Sequence, residues 1–232
     1  MSETGHRISV IIPAFNEENS VGKVIAELPK NLLEDIIVVN NNSNDNTSDM
    51  ALKEGAIVID EPVPGYGRAC LKGMDYLKNK QQVPDIVVFL DADYSDYPNQ
   101  LMDVAGPIIN ENYDMVIGSR ELGNREKGSM TFPQIFGNKL ATRLIYWIYK
   151  VRFTDLGPFR AIKFSALMDL NMTDLNYGWT VEMQVKAAKK NLKCTEVPVD
   201  YRKRIGFSKV SGTVKGAFLA GYKIITTIVK YM

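Results

Sequence analysis

The chain has 232 residues, 45% of them hydrophobic and 24% charged, with a formal net charge of +1. This composition suits one large α/β domain, and the near-zero charge argues against a nucleic-acid-binding protein that relies on bulk positive charge. The single histidine, His6, precedes the first predicted strand, which excludes histidine-based triads and histidine-rich zinc sites. Two distant cysteines, Cys70 and Cys194, and the lack of a signal-peptide pattern before that strand predict a reducing, cytoplasmic setting.

The first half of the chain alternates apolar strand patterns with amphipathic helix patterns. Strands are predicted at residues 7–13, 35–39, 56–60 and 86–90, and helices at 16–28, 47–54 and 68–77. No hairpin signal separates these units, so we expect a mostly parallel sheet with helices on both faces.

The second half continues the alternation with more loop. Helices are predicted from Pro98 onwards and at 133–150, 179–190 and 214–231, and strands at 114–118, 161–162 and 195–202. Residues 121–130 carry glycines and charges without periodicity, which predicts a mobile surface loop. We therefore expect one α/β domain over residues 1–210 and a C-terminal helical appendage over 211–232.

Two carboxylates, Asp91 and Asp93, directly follow the buried strand at 86–90. In an open α/β sheet, ligands bind beyond the carboxyl ends of the strands, where paired acids can hold a divalent cation on a diphosphate. An Asp-rich helix cap explains the same pattern. The residues of this motif alone leave both interpretations open.

Seven motifs, taken in order and spacing, resemble family 2 glycosyltransferases of the GT-A fold. Within that family they resemble the branch of dolichyl-phosphate mannose synthase and the bacterial polyprenyl-phosphate glycosyltransferases. The resemblance covers nearly the whole chain, and structural context makes the set far more specific than any one motif. The motifs are residues 10–18, the Asn-rich loop to Asp45, 65–67, 91–93, 118–120, 155–160, and 196–198 followed by 202–209.

The resemblance implies that Pro13, Ala14 and Glu17 line a nucleotide pocket at the end of the first strand. Glu17 would reach the ribose or the base. An acid at this place also favours a helix N-terminus, so that alternative stays open.

The second loop departs from the family pattern. Where relatives show paired aspartates and then a glycine, this chain has Asn40, Asn41 and Asn42. An asparagine can donate and accept hydrogen bonds, so Asn40 and Asn42 are still expected to contact the nucleotide, but the identity of the base is open. Gly67 would allow close backbone approach and Arg68 would meet a phosphate.

By the same resemblance, Asp93 would coordinate Mg²⁺ or Mn²⁺ on the donor diphosphate, with Asp91 on the ribose or the metal-bound water. Ala92 lies between them in the donor site. A hard cation would stabilise the charge that builds on the leaving diphosphate.

Two acceptors are compatible with these motifs. A sugar hydroxyl would need a base, and the matching candidate is Asp155. A polyprenyl phosphate is already anionic, so cations would matter more than a base. The candidate acceptor and phosphate contacts are Arg120, Arg202, Arg204, Ser208 and Lys209, of which Arg120 and Arg202 are also candidates for catalysis.

The apolar runs of the C-terminal segment are interrupted by Lys223 and bounded by Lys215 and Lys230, so they are too short for a membrane span. The pattern suits a helix lying on a membrane surface, and residues 144–150 suit a second apolar contact. Either segment could instead belong to the core or to a homo-oligomer interface.

Together these features predict an inverting, metal-dependent hexosyltransferase that uses a nucleotide diphosphate sugar and a polyprenyl or dolichyl-type phosphate. A UDP-sugar is favoured and GDP-mannose stays open. One alternative is a soluble or glycan hydroxyl acceptor with Asp155 as base. Another is a sugar nucleotidyltransferase. The expected location is cytoplasmic, and peripheral contact with the membrane stays open.

Overall fold

The structure is a computed structural model that describes residues 5–206, 226–228 and 230–231. Ser208, Lys209 and most of the predicted C-terminal helix lie outside the described residues. Of that helix, residues 226–228 and 230 are described, and they are helical.

A seven-stranded sheet forms the centre of the domain, in the order β3-β2-β1-β4-β6-β5-β7. All neighbouring strands are parallel except β6, which runs antiparallel to both β4 and β5. The strands are β1 (Ile8–Ala14), β2 (Asp35–Asn40), β3 (Ile57–Asp60), β4 (Ile86–Phe89), β5 (Met115–Ser119), β6 (Arg160–Lys163) and β7 (Cys194–Pro198).

Helices cover both faces of the sheet. The helices are α1 (Val21–Glu27), α2 (Thr47–Lys53), α3 (Tyr66–Lys78), α4 (Leu101–Glu111), α5 (Phe132–Tyr149), α6 (Phe164–Asp169) and α7 (Trp179–Lys189). Successive side chains of a strand point to opposite faces, so β1 feeds Ile11 into a core shared with α3, α5 and α7, and Val10 and Ile12 into a core shared with α1 and α4. The expected single α/β domain with a mostly parallel sheet is confirmed.

Helix α1 begins later than the sequence predicts. The backbone N–H groups of Asn16 and Glu17 bond the hydroxyl oxygens of Ser43 and Thr47 in the Asn-rich loop, and Asn16 has a left-handed φ of 53°. Because the loop accepts hydrogen bonds from these two N–H groups, Asn16 and Glu17 stay outside the helix, which starts at Val21.

The segment at 121–126 is held against residues 199–201 by backbone contacts. Glu126 donates its backbone N–H to the carbonyl of Tyr201, and Tyr201 donates to the carbonyl of Asn124. A Cβ on Gly123 would lie 2.0 Å from the carbonyl oxygen of Val199, so only glycine fits this close approach. The prediction of a mobile surface loop here overlooked that contact.

Candidate active site

Asp91 and Asp93 lie just beyond the carboxyl end of β4, as predicted. Asp91 accepts a hydrogen bond of 2.9 Å from the hydroxyl of Tyr66, at the start of α3. Burial, and then the charge of Asp93, raise the pKa of Asp91 to about 7. Two carboxylates at this place therefore repel each other unless a cation comes between them.

Asp93 is 4% exposed and is held from two sides. Its Oδ1 accepts a bond of 2.9 Å from the backbone N–H of Ser95, and its Oδ2 pairs with the guanidinium of Arg204. The Nε of Arg204 is buried and has no hydrogen-bond partner in the part of the chain that the structure describes. Arg204 thus supplies a counter-charge to Asp93 and keeps one donor available for a ligand oxygen.

A third acid, Asp96, belongs to the same place and was missed in the sequence. It is 2% exposed, and neither of its carboxylate oxygens has a hydrogen-bond partner among the described residues. Burial, followed by the charges of Asp91 and Asp93, raises the pKa of Asp96 well above its ordinary value. Nothing in the local sequence distinguishes Asp96 from an ordinary turn residue, because the turn is rich in Asp and Ser.

These acids fit a divalent cation that shares its coordination with a ligand. Within the described residues, no group of three or more His, Cys, Asp or Glu side chains is arranged to hold a metal ion alone. Mg²⁺ and related cations are commonly bound by one or two carboxylates together with substrate phosphates. The oxygens of Asp96, which have no hydrogen-bond partner among the described residues, and the raised pKa of Asp91 mark a site with more acidic than basic charge.

Arg120 and Asp155 form a buried ion pair at the end of β5. The Nε of Arg120 lies 2.7 Å from Oδ2 of Asp155, and its Nη2 lies 2.7 Å from Oδ1. The backbone N–H of Arg120 also bonds Oδ2, at 2.8 Å. Burial by itself raises the pKa of Asp155, but its contacts with Arg120 outweigh burial and lower it. Both oxygens of this fully buried carboxylate are therefore occupied.

The loop that carries Asp155 is fixed by side chains from three elements. Glu196 of β7 accepts the backbone N–H of Asp155, and Gln184 of α7 donates to its carbonyl at 2.9 Å. Asn138 of α5 accepts the backbone N–H of Leu156 at 2.8 Å. The pair of Arg120 and Asp155 is consequently held in a rigid setting.

The guanidinium of Arg202, predicted to contact phosphate, is engaged by groups of the chain itself in this structure. Its guanidinium bonds the carboxylate of Glu27 at 2.8 Å and the carbonyl of Tyr94 at 2.7 Å. It also bonds the carbonyl of Asp96 at 3.2 Å. Arg202 thus clamps the turn that carries the acids, and a phosphate contact would require these bonds to be given up.

Residues 199–205 form a bridge between two loops, and this bridge places Arg204. On one side it bonds the 121–126 segment, and on the other Arg202 and Ile205 donate their N–H groups to the carbonyls of Ser95 and Asp93, both at 2.9 Å. Arg120 stacks over Tyr201 of the bridge at 5.0 Å from the ring centroid. The bridge therefore brings Arg120 and Arg204 to the same sheet edge as Asp93.

The predicted nucleotide side follows β1 and β2. Pro13 and Ala14 end β1 beside Val39 and Asn40 of β2. Glu17 lies next to them and accepts a bond of 2.7 Å from Ser20. These residues share one sheet edge with Asp91, and their contact with a nucleotide stays a prediction.

The asparagines of the second loop have different surroundings. Asn40 donates to Asp60 at 2.9 Å, whereas Asn42 is exposed and left-handed with a φ of 64°. The buried Asn41, which was not predicted as a site residue, bonds the carbonyls of Glu61 and Val63. Asn41 thus fixes the loop before α3, and among Asn40, Asn41 and Asn42 only Asn42 is exposed.

The group that comes close to Gly67 is the backbone of the same chain at Asp174. A Cβ there would lie 2.0 Å from the carbonyl oxygen of Asp174. The next residue, Arg68, donates its backbone N–H to Leu175 at 3.1 Å. Gly67 is therefore needed for packing, and the residue of this motif that reaches the acids is Tyr66.

Trp179, the first residue of α7, belongs to the core. It is 1% exposed and packs edge-on against Phe89 with ring centroids 5.9 Å apart. Arg160 is also fully buried and donates to the carbonyls of Leu156, Gly157 and Thr180. Both side chains therefore belong to the buried core that supports the site.

Comparison with known proteins places this arrangement in a family. The profile of the family described as Glycosyl transferase family 2 matches residues 9–170. A glycosyltransferase of Mycobacterium tuberculosis is 32% identical over 221 residues, which cover 93% of this chain and 95% of that protein. A dolichyl-phosphate hexose transferase of Haloferax volcanii is 30% identical over 216 residues, which cover 90% and 89%.

A solved structure supports the fold. Glucosyl-3-phosphoglycerate synthase from Mycobacterium tuberculosis, in complex with Mn²⁺, UDP-glucose and phosphoglyceric acid, matches with a TM-score of 0.76 at 21% identity. The match covers 99% of this chain and 80% of the synthase. With the family match over residues 9–170 and the two relatives, it follows that this chain belongs to glycosyl transferase family 2 and is a glycosyltransferase.

Proposed function

We propose that the enzyme is an inverting, metal-dependent hexosyltransferase that moves a hexose from a nucleotide diphosphate sugar to a polyprenyl or dolichyl-type phosphate. A UDP-sugar is the favoured donor. The observation that carries the choice of acceptor is the buried pair of Arg120 and Asp155. Both oxygens of Asp155, the candidate base, are bonded by Arg120, and its pKa is lowered.

A phosphate acceptor needs no base, because it is already anionic near neutral pH. A sugar hydroxyl must lose a proton during attack, and a carboxylate with a lowered pKa and no free oxygen is poorly suited to take it. Arg120 and Arg204 lie at the sheet edge instead, and arginine is the side chain best matched to phosphate oxygens.

The proposed reaction is one direct displacement. An oxygen of the acceptor phosphate attacks the anomeric carbon while the bond from that carbon to the β-phosphate oxygen breaks, which inverts the configuration and releases the nucleoside diphosphate. Arg204 turns from Asp93 to a phosphate oxygen as the donor binds. Arg120, fixed by Asp155, stays in place and stabilises negative charge at the same edge.

Asp93 and Asp91 would hold Mg²⁺ or Mn²⁺, with Asp96 beside them. When bound, the cation supplies Lewis-acid stabilisation of the charge that develops on the leaving diphosphate. Tyr66 orients Asp91 through its hydroxyl, and Ser95 orients Asp93 through its backbone N–H. The structural neighbour bound to Mn²⁺ and UDP-glucose supports this choice of cofactor and donor.

The relative named as a dolichyl-phosphate hexose transferase supports a lipid-linked acceptor. Among the described residues, no helix is both long and apolar enough to cross a bilayer. From the acceptor in that relative's name, we propose that the enzyme works peripherally on the cytoplasmic face of a membrane, where such an acceptor is reached.

The competing acceptor is a soluble or glycan hydroxyl with Asp155 as base. It would require Asp155 to exchange its bonds with Arg120 for a bond to the acceptor. A sugar nucleotidyltransferase, the other alternative drawn from the sequence, is set aside because the chain belongs to a glycosyltransferase family.

A partition assay tests the acceptor. The enzyme is incubated with Mn²⁺, a short-chain polyprenyl phosphate and radiolabelled UDP-glucose or GDP-mannose, and the organic and aqueous phases are counted. Label should move to the organic phase only when the acceptor is present. The opposite result is that the donor is consumed while all label stays in the aqueous phase, in a product other than free hexose. That result would contradict a lipid phosphate acceptor and favour the hydroxyl alternative.

A further inference from the structure

The outward face of α5 is apolar, unlike that of an ordinary surface helix. Phe132, Phe136, Leu140 and Trp147 are 79%, 60%, 37% and 62% exposed. At about 100° per residue these four side chains fall within an arc of roughly 80° on the helix surface. The opposite side of α5 is buried in the domain through Ala141 and Ile145. We call the four exposed side chains the α5 face.

The stretch of sequence that contains the α5 face has basic residues and no acidic ones. Between Glu126 and Asp155 the sequence contains no acid and five basic residues, which are Lys127, Lys139, Arg143, Lys150 and Arg152. Lys139 and Arg143 are exposed and fall within or beside the same arc. The strip thus begins and ends with an aromatic residue and has basic residues beside it. These features are typical of a helix that lies in the interface of an anionic membrane.

We propose that the α5 face docks onto the surface of an anionic lipid bilayer, with the helix axis in the plane of the membrane. The strip from Phe132 to Trp147 is about 22 Å long, so its rings enter the headgroup and upper acyl region side by side. Lys139 and Arg143 then meet lipid phosphates. This contact follows from exposure and charge and goes beyond the proposed transfer reaction.

A second copy of the chain fits the α5 face less well. In a two-fold interface, the same patch of each protomer meets its counterpart. Because the face has cations and no acid, such a dimer would bring Lys139 and Arg143 close to the same residues of the partner without a compensating charge. An anionic lipid surface removes that conflict and buries the same rings.

The two tryptophans of the chain make the contact measurable. Trp147 is exposed, and Trp179 is buried, so a blue shift on adding vesicles reports on Trp147. With phosphatidylcholine vesicles that contain phosphatidylglycerol, we expect a blue shift and quenching by brominated acyl chains. Vesicles of phosphatidylcholine alone should bind the protein more weakly, because they carry no net negative charge.

Variants of the full chain locate the contact. Phe136→Ser should weaken vesicle flotation about tenfold, since one aromatic ring no longer enters the bilayer. Leu52→Ser on α2 removes an apolar side chain of similar exposure, 56%, and should leave flotation unchanged. The vesicles contain no polyprenyl phosphate or donor, so the result is independent of the proposed acceptor.

Two outcomes would overturn the docking of α5 on lipid. One is undiminished flotation of a Phe132→Ser, Phe136→Ser double variant whose circular dichroism matches that of the wild type. The other is a wild-type dimer, seen by sedimentation, that the double variant converts to monomer while binding to vesicles is unchanged. That second result would assign the α5 face to a second copy of the chain.

Discussion

At the scale of single residues, the site is a cluster of acids that is short of positive charge. The strand pattern before Asp91 and Asp93 was sufficient to predict where these two would lie, because a buried strand in an open sheet ends at the ligand edge. Asp96 and Tyr66 could not be assigned in this way. Their role depends on how the turn after β4 folds back and on how α3 approaches it, and neither has a local sequence signal.

The raised pKa of Asp91 predicts a stability gain from Asp91→Asn. The folded protein holds the proton of Asp91 up to about pH 7, whereas the unfolded chain releases it near the ordinary value. The free energy of unfolding of the wild type therefore falls as pH rises from about 4 to 7, because only the folded state holds this proton in that range. Free energies of unfolding from urea titration of the metal-free proteins should be higher for the variant at pH 8, and the gap should narrow at pH 5. If the variant and the wild type differed in free energy of unfolding by the same amount at both pH values, a raised pKa of Asp91 would be contradicted.

Arg204 pairs with Asp93, the carboxylate that is proposed to bind the metal ion, so the two cations would compete for it. Arg204→Gln removes the guanidinium, so Mn²⁺ binding without nucleotide should tighten, by about tenfold for an interaction of this class. Electron paramagnetic resonance of free Mn²⁺ measures this directly. Turnover should fall, because the same side chain is proposed to contact a phosphate.

Lys203→Gln is the matched control for Arg204. Lys203 is adjacent and makes an exposed ion pair with Glu126, at 3.6 Å. Its loss should leave Mn²⁺ affinity unchanged, since exposed pairs contribute little. Equal Mn²⁺ affinity in Arg204→Gln and the wild type would show that Arg204 does not occupy the metal position.

At the scale of elements, the bridge at 199–205 organises the site. It was predicted partly as a strand and partly as a basic loop, and the structure shows a chain segment bonded to the 121–126 loop and to the turn of the acids. The prediction failed there because such pairing joins residues about 75 and 110 positions apart. Helix α6 was missed for a related reason, since six residues are too few to display a periodicity.

Gly123→Ala should loosen the bridge. The added methyl would lie 2.0 Å from the carbonyl oxygen of Val199, so one of the two backbones must move. We expect a loss of roughly 1–3 kcal/mol in the free energy of unfolding and a parallel loss of turnover, because Arg204 is carried by the same segment.

Gly137→Ala provides the control for that substitution. Gly137 lies in α5, and a methyl group added to its Cα would meet no described atom within 4 Å apart from its chain neighbours and the backbone of the helix itself. Alanine should therefore stabilise the helix by up to about 1 kcal/mol. Urea unfolding and turnover of the two variants are compared side by side. A Gly123→Ala enzyme as stable and active as Gly137→Ala would argue against the docked loop.

At the scale of the whole molecule, the order of the strands brings the site together. The first four strand–helix units could be predicted from apolar runs and caps, and they form β1 to β4 with their helices. The antiparallel insertion of β6 between β4 and β5 could not, because a four-residue strand carries no signal of direction. That insertion sets Asp155, which precedes β6, against Arg120 at the end of β5.

Cation-dependent binding of a diphosphate at this sheet edge is tested most directly by calorimetric titration of UDP and GDP, with and without Mn²⁺, into the wild type and Asp93→Asn. We expect one of the two nucleotides to bind the wild type at least tenfold more tightly with Mn²⁺, and this enhancement to disappear in Asp93→Asn while the fold is retained. Binding of neither nucleotide, or an enhancement undiminished in Asp93→Asn, would contradict the assignment of the site.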